Sequence, residues 1–215
     1  MYLLGAHIHQ QNSQAALVII KKRLKEVKHH YTIETARKID KGGCRQVIID
    51  FYHNRRYFTR KRVFSQDRRP KKDVSARPAI VIVAGPGERL LIDDLRQKDI
   101  PVEAIILEAN NKAAGCDAAV RPGLGRNFAV SETELMQTLV SLNQKLRLVV
   151  ERNTENDDLL SRLEQTLAGM EKQQKIPADD REALILAAAG PVWFRENVRF
   201  RQVYRTSATS VRQYK

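Results

Sequence analysis

Three strand-like segments follow one another near the start of the chain, and they constrain the fold more than any other feature. They cover residues 2–9, 15–21 and 27–35, and the last alternates apolar and polar side chains as a half-buried strand does. Polar turns too short to contain a helix separate them. Because strands joined by short turns pair antiparallel, the sequence predicts an antiparallel three-strand meander.

A second pattern, typical of a parallel sheet, follows the meander. A helical stripe over 42–52 comes first, and residues 79–83 then form a continuous apolar run, as expected for a strand buried on both faces. A further buried strand is predicted at 102–107, which completes a right-handed β-α-β unit. The helix of this unit has a predicted apolar stripe of three leucines: Leu90, Leu91 and Leu95.

Helices dominate the rest of the chain. Residues 131–134, Ser-Glu-Thr-Glu, form a capping box that predicts a helix over 132–144. Pro177 begins a last helix with a small, apolar centre at 184–189, and Gly190-Pro191 is expected to stop or kink it. The predicted fold class is therefore α/β, with an antiparallel meander and parallel strands in one mixed sheet flanked by helices.

The charge balance indicates a polyanionic partner. Thirty-eight Lys and Arg residues outnumber 25 Asp and Glu residues, which gives a formal net charge of +13. This excess favours contact with DNA or RNA, although a generic basic structural protein is the alternative. We expect no membrane partner, since no apolar run approaches the roughly 20 residues that span a bilayer. With only two cysteines and no signal-peptide pattern, the chain is expected in the cytoplasm.

Much of the positive charge lies in one segment, residues 54–72. It holds nine Lys and Arg residues and one acid, Asp67, and it is interleaved with Tyr57, Phe58 and Phe64. Such a segment is either a solvated loop or an arm whose cations contact phosphates while its aromatic rings stack on bases. We favour the arm. The predicted nucleic-acid-binding residues are Arg55, Arg56, Arg60, Lys61, Arg62, Arg68, Arg69, Lys71 and Lys72.

Four short motifs occur in order along the chain, at 5–20, 81–96, 128–135 and 181–193. The first reads Gly-Ala-His-Ile-His-Gln before a strand beginning Ala-Ala-Leu-Val-Ile-Ile, and the last reads Arg-Glu-Ala-Leu-Ile-Leu-Ala-Ala-Ala before Trp193. In order and spacing they resemble the C-terminal nuclease domain of phage terminase large subunits. The resemblance implies a ribonuclease H-like domain over 1–194. The charge pattern adds a basic insertion to it at about 54–78 and a basic, Ser/Thr-rich tail at 195–215, which is expected to be flexible.

Terminase nucleases hold two divalent metals between carboxylates from the first strand, a later parallel strand and the last helix. At the matching positions this chain offers His7, Val83, Glu182 and Ala183. Valine cannot ligate a metal, and histidine is a poor ligand for Mg²⁺. The resemblance therefore gives no catalytic residue and no expected cofactor, and Mg²⁺ or Mn²⁺ would be needed only by an active nuclease.

Displaced side chains keep a metal site open as an alternative. His7, His9, Asp180 and Glu182 are the groups that would form it. Against this, Asp179 and Asp180 also suit the first turn of a helix, where the dipole favours carboxylates, and the histidines also suit a structural role.

Three functions follow from these expectations. The favoured one is a catalytically inactive, nucleic-acid-binding protein of a phage or mobile element, acting in DNA packaging or a related assembly inside the bacterial host. A packaging ATPase or other assembly proteins would be its partners, since the chain has no Gly-x-x-x-x-Gly-Lys-Ser/Thr motif of its own. The alternatives are a divalent-metal endonuclease with relocated ligands and a structural virion or assembly protein.

Overall fold

The computed structural model describes residues 1–8, 14–25, 28–64, 70–85, 89–107, 115–117, 125–151, 157–171 and 180–210. Within these ranges the backbone alone is described at 60–64, 70–75, 115–117, 157, 170–171, 180–182 and 199–210. The strands are β1 Tyr2–Ile8, β2 Gln14–Lys25, β3 Lys28–Asp40, β4 Thr59–Phe64, β5 Pro70–Ala76, β6 Ala79–Ala84, β7 Val102–Leu107, β8 Gly115–Asp117, β9 Asn127–Val130 and β10 Leu148–Val150. The helices are α1 Lys41–His53, α2 Arg89–Gln97, α3 Glu132–Gln144, α4 Asp157–Glu171 and α5 Asp180–Ser210, with a 3-10 turn at Arg55–Tyr57.

Eight of the described strands form one mixed sheet in the order β10-β3-β2-β1-β6-β7-β9-β8. Strands β1, β2 and β3 pair antiparallel, whereas β6, β7 and β9 continue from β1 in parallel. This confirms the predicted α/β fold with its meander and parallel strands. The central order β3-β2-β1-β6-β7 is that of a ribonuclease H-like sheet.

Helices pack on both faces of the sheet and divide the core into two clusters. Helices α3, α4 and α5 cover one face, and α1 and α2 cover the other. Because side chains alternate along a strand, consecutive residues of β1 belong to different clusters, with Leu3 on the α5 side and Leu4 on the α1 side. The α5 face carries His7 and Val83, two positions that the resemblance matches to catalytic acids.

Helix α2 buries a different stripe from the predicted one. Ile92, Leu95 and Arg96 are buried, while Leu90 is 82% exposed, so the leucine stripe was wrong at its first position. Leu90 and Ile92 lie about 200° apart around the helix, and the sequence contains two overlapping stripes. Packing on the sheet selects the one that contains Ile92.

The basic insertion contains a β-hairpin. Strands β4 and β5 pair antiparallel as a two-stranded sheet of their own, with Thr59 opposite Ala76. The backbone of this segment is therefore an extended ribbon over much of its length. Strand pairing satisfies backbone groups that a loop would leave to water.

Gly190 and Pro191 were expected to stop or kink the last helix. Helix α5 continues through both to Ser210, so a stop is wrong, and a kink stays a prediction. Side chains that follow Pro191 fasten the helix to its neighbours. Trp193 donates from Nε1 to Glu134 Oε1 at 2.7 Å, and Glu196 accepts from the Tyr31 hydroxyl at 2.7 Å. The predicted tail is thus helical from its start as far as Ser210, and residues 211–215 lie outside the described chain.

Candidate functional site

Two positions that the resemblance matches to catalytic acids, His7 and Val83, lie side by side in the sheet. Strands β1 and β6 pair in parallel, and the register places His7 beside Val83. Val83 belongs to the core cluster on the α5 face, and residue alternation from Leu3 puts His7 on that face too. The fold therefore brings these two positions together, as the resemblance implies.

His7 is held as a buried, orientated side chain. It is 3% exposed, and its Nδ1 lies 3.1 Å from the backbone oxygen of Val83. A carbonyl oxygen only accepts hydrogen bonds, so Nδ1 carries the proton and donates it. This contact uses the ring nitrogen that faces β6, so Nδ1 has no lone pair to offer a metal.

Helix α5 closes the space in front of these strands. Val83 is fully buried, and a Cβ atom added at Gly190 would overlap Val83 Cγ2. A Cβ atom at Gly5 would likewise overlap the backbone oxygen of Ala187. Two glycines thus allow the helix to approach β1 and β6 more closely than any other residue would permit, and Val83 is packed against helix rather than solvent.

The helix positions named by the resemblance lie away from this contact. Ala183 is half-buried and packs against the α5-side core cluster, but it precedes Gly190 by seven residues, or about 10 Å along the helix. Glu182 and Asp180 lie in the first turn of α5, where the backbone alone is described. His9 and Asp179 lie outside the described residues.

A metal site is tested only in part by this geometry. Among the described side chains, no group of three or more His, Cys, Asp or Glu residues is placed to hold a metal ion. Of the predicted ligands His7, His9, Asp180 and Glu182, only His7 has a described side chain, and its Nδ1 is committed to Val83.

The predicted basic residues divide between the 3-10 turn and the hairpin. Arg55 and Arg56 are exposed in the turn, which Asn54 caps by accepting from the Arg56 backbone N–H at 3.0 Å. The remaining residues lie on β4 (Arg60, Lys61, Arg62), on β5 (Lys71, Lys72) or outside the described chain (Arg68, Arg69).

A groove of about 530 Å³ adjoins this turn, on the face of the sheet opposite α5. Tyr57 forms part of its wall and packs on Phe51, with ring centroids 4.3 Å apart, and edge-on to Tyr2 at 5.2 Å. Three cations and three carboxylates line it: Lys21, Arg37 and Arg56, with Glu34, Asp50 and Glu151.

Lys21 is the most constrained cation of the groove. Its Nζ lies 2.9 Å from Glu34 Oε1 and 5.4 Å from the centre of the Tyr2 ring. The hydrogen bond to Glu34 raises the pKa of the Lys21 ammonium, so it stays charged at neutral pH. Sequence reasoning missed this groove because its residues come from β1, β2, β3 and the turn after α1, which are distant in sequence.

Comparison of the chain with protein-family models, with curated proteins and with solved structures finds no match. The resemblance to terminase nucleases therefore rests on the motifs and on the strand order alone.

Among the described residues, no helix is both long enough and apolar enough to cross a membrane.

Proposed function

We propose that this chain is a nucleic-acid-binding protein built on a ribonuclease H-like fold whose catalytic positions no longer support cleavage. The observation that carries the proposal is the pair His7 and Val83, adjacent on β1 and β6 where metal-binding acids would be needed. Valine supplies no ligand, and α5 packs directly against it. A site of this kind stabilises the fold instead of binding Mg²⁺ or Mn²⁺.

The charge of the chain supports the binding half of the proposal. A cluster of unneutralised carboxylates repels phosphate, whereas a neutral position in a chain of net charge +13 does not. Exposed Arg55 and Arg56 lead into the basic hairpin, where five of the predicted phosphate-binding residues lie on paired strands. In a phage or mobile element, such a protein would hold DNA while a packaging ATPase acts as a separate partner.

Fluorescence anisotropy with a labelled DNA duplex tests this proposal. About six phosphate contacts would give a slope near −5 in a plot of log K against log salt concentration. The double variant Arg55→Glu, Arg56→Glu should weaken binding at least tenfold at physiological salt. The matched control reverses two exposed charges at the ends of α2, Arg89→Glu and Lys98→Glu. It should change the affinity for DNA less than threefold.

Two outcomes would contradict the proposal. Absence of salt-sensitive binding to duplex or single-stranded DNA or RNA would remove the nucleic-acid partner. Stable oligomers that ignore nucleic acid would favour the structural virion or assembly protein instead.

A further inference from the structure

Helices α1 and α2 leave part of the sheet uncovered. On their side of the sheet they pack on β1, β6 and β7 and on the first half of β2, where Ala15 and Leu17 are buried. Beyond Ile19 the strand turns polar, and the side chains of β2, β3 and β10 on this face are exposed or half-buried. Among the described helices, none belongs to a core cluster that includes this end of the sheet face.

Cross-strand register fixes which side chains share this surface. Lys21 lies opposite Thr32, Arg23 opposite His30 and Lys25 opposite Lys28. Val149, 54% exposed, lies beside Thr32 on the edge strand β10. We call these residues the open sheet face: Lys21, Arg23, Lys25, Lys28, His30, Thr32 and Val149.

The open sheet face is basic. Arg23, Lys25 and Lys28 are exposed, and alternation on β2 places Lys21, Arg23 and Lys25 on one line about 13 Å long. A line of cations on a pleated surface matches the negative charges of an extended polynucleotide backbone.

The groove beside α1 extends this surface. Lys21 belongs to both, so the line of cations ends at a wall that contains Tyr2 and Tyr57. The ring of Tyr57 is half-buried and held by Phe51, so it is orientated before any ligand binds. Aromatic walls beside a basic track accept bases that are unpaired, because bases in a duplex have their faces stacked on one another.

We propose that the open sheet face and its groove form a binding site for single-stranded nucleic acid. The proposal rests on the nucleic-acid-binding function and adds to it a surface distinct from the basic hairpin. The backbone of the strand lies along Arg23 and Lys25, and one base enters the groove beside the Lys21–Glu34 ion pair, against Tyr57. A duplex is too stacked to use the groove, so the site discriminates between the two forms.

Anisotropy titrations of a labelled oligothymidylate and a labelled duplex on the same protein preparations test this site. The double variant Arg23→Glu, Lys25→Glu should weaken single-strand binding at least tenfold and duplex binding less than threefold. The slope of log K against log salt for the single strand should become shallower by about 1.4, as expected for two lost phosphate contacts. The variant Arg89→Glu, Lys98→Glu is the charge-matched control.

A substitution in the groove separates stacking from charge. Tyr57→Leu should weaken single-strand binding about tenfold without changing the salt slope, whereas Tyr57→Phe should bind as the unchanged protein does. Circular dichroism confirms that each variant is folded.

The outcomes distinguish this site from the proposed function. Salt-sensitive binding that is insensitive to the sheet and groove variants would overturn the site and leave the function standing. Equal losses for single strand and duplex would overturn the strand preference. Failure of the unchanged protein to bind any nucleic acid would overturn both.

Discussion

His7 and Val83 are both buried, and they are held together by a hydrogen bond and by packing. The imidazole donates to the Val83 backbone oxygen at 3.1 Å, and the valine side chain fills space beneath Gly190. The His7 ring N–H and the Val83 backbone oxygen thus satisfy each other's hydrogen-bonding capacity inside the core. Position 83 requires an apolar side chain that packs under α5, and a carboxylate there would be buried without a partner.

Restoring an acid at Val83 should therefore destabilise the protein. Val83→Asp places a carboxylate at a fully buried position, and we expect the free energy of unfolding to fall by about 3–5 kcal/mol. Val83→Asn has the same shape without the charge and should cost less. Urea denaturation measures both. Equal stability of the Asp variant and the unchanged protein at neutral pH would show that the position is open to solvent or metal.

The burial of Glu103 can be tested by measuring how stability depends on pH. Burial raises the pKa of its carboxyl above the ordinary value of 4.5, although the Arg126 guanidinium and backbone N–H lower it in part. The folded chain thus holds the proton more tightly than the unfolded chain. The resulting stability is fully present below pH 4.5 and is lost as pH rises through the folded-state pKa.

Glu103→Gln removes this pH dependence. Relative to the unchanged protein, the variant should gain stability as pH is raised from about 4 to about 7, measured by urea denaturation at each pH. A difference that stays flat, or that shrinks with rising pH, would contradict the direction of the pKa shift.

At the scale of elements, helix α5 closes the space in front of His7 and Val83. It lies across β1 and β6 and is anchored beyond Pro191 by Glu196, which accepts from Arg147 Nη2 at 2.9 Å and 3.1 Å. A helix fastened at this end cannot easily lift from the strands to admit a metal and a phosphodiester. Close approach at Gly5 is what permits this arrangement.

Gly5→Ala should separate the helix from the strand. Its Cβ would overlap a backbone oxygen, which no side-chain rotation relieves, so we expect a loss of about 1–3 kcal/mol in unfolding free energy. Gly42→Ala is the matched control, because no atom lies within 4 Å of its added Cβ in α1. That control should gain about 0.5–1 kcal/mol from helix propensity. Similar effects at the two glycines would contradict the close packing.

Elements with a strong local signal could be predicted from the sequence. Strand β7 has the predicted bounds, and α3 begins after Ser131, whose Oγ accepts from the Glu134 backbone N–H at 3.2 Å. The other half of the capping box is absent, because Glu134 Oε1 accepts from Trp193. Tertiary contacts also stabilise α5 beyond Pro191 and determine which side of α2 is buried. Such contacts cannot be inferred from the periodicity of a single segment. The groove could not be predicted for the same reason, because its lining comes from several elements.

At the scale of the whole molecule, the two faces of the sheet have different roles. The α5 face holds His7 and Val83 in a closed core, while the opposite face combines an aromatic groove with exposed cations. The net charge of +13 and the closed packing at His7 and Val83 are the two observations on which the proposed binding without cleavage rests.

The most direct test reads binding and cleavage on the same DNA. Labelled duplex and single-stranded DNA are incubated with saturating protein and excess Mg²⁺ or Mn²⁺, anisotropy is recorded, and the DNA is then run on a denaturing gel. The account predicts saturable binding with DNA recovered at full length. Metal-dependent shortening that is abolished by Asp180→Ala or Glu182→Ala would contradict it and identify an endonuclease with relocated ligands.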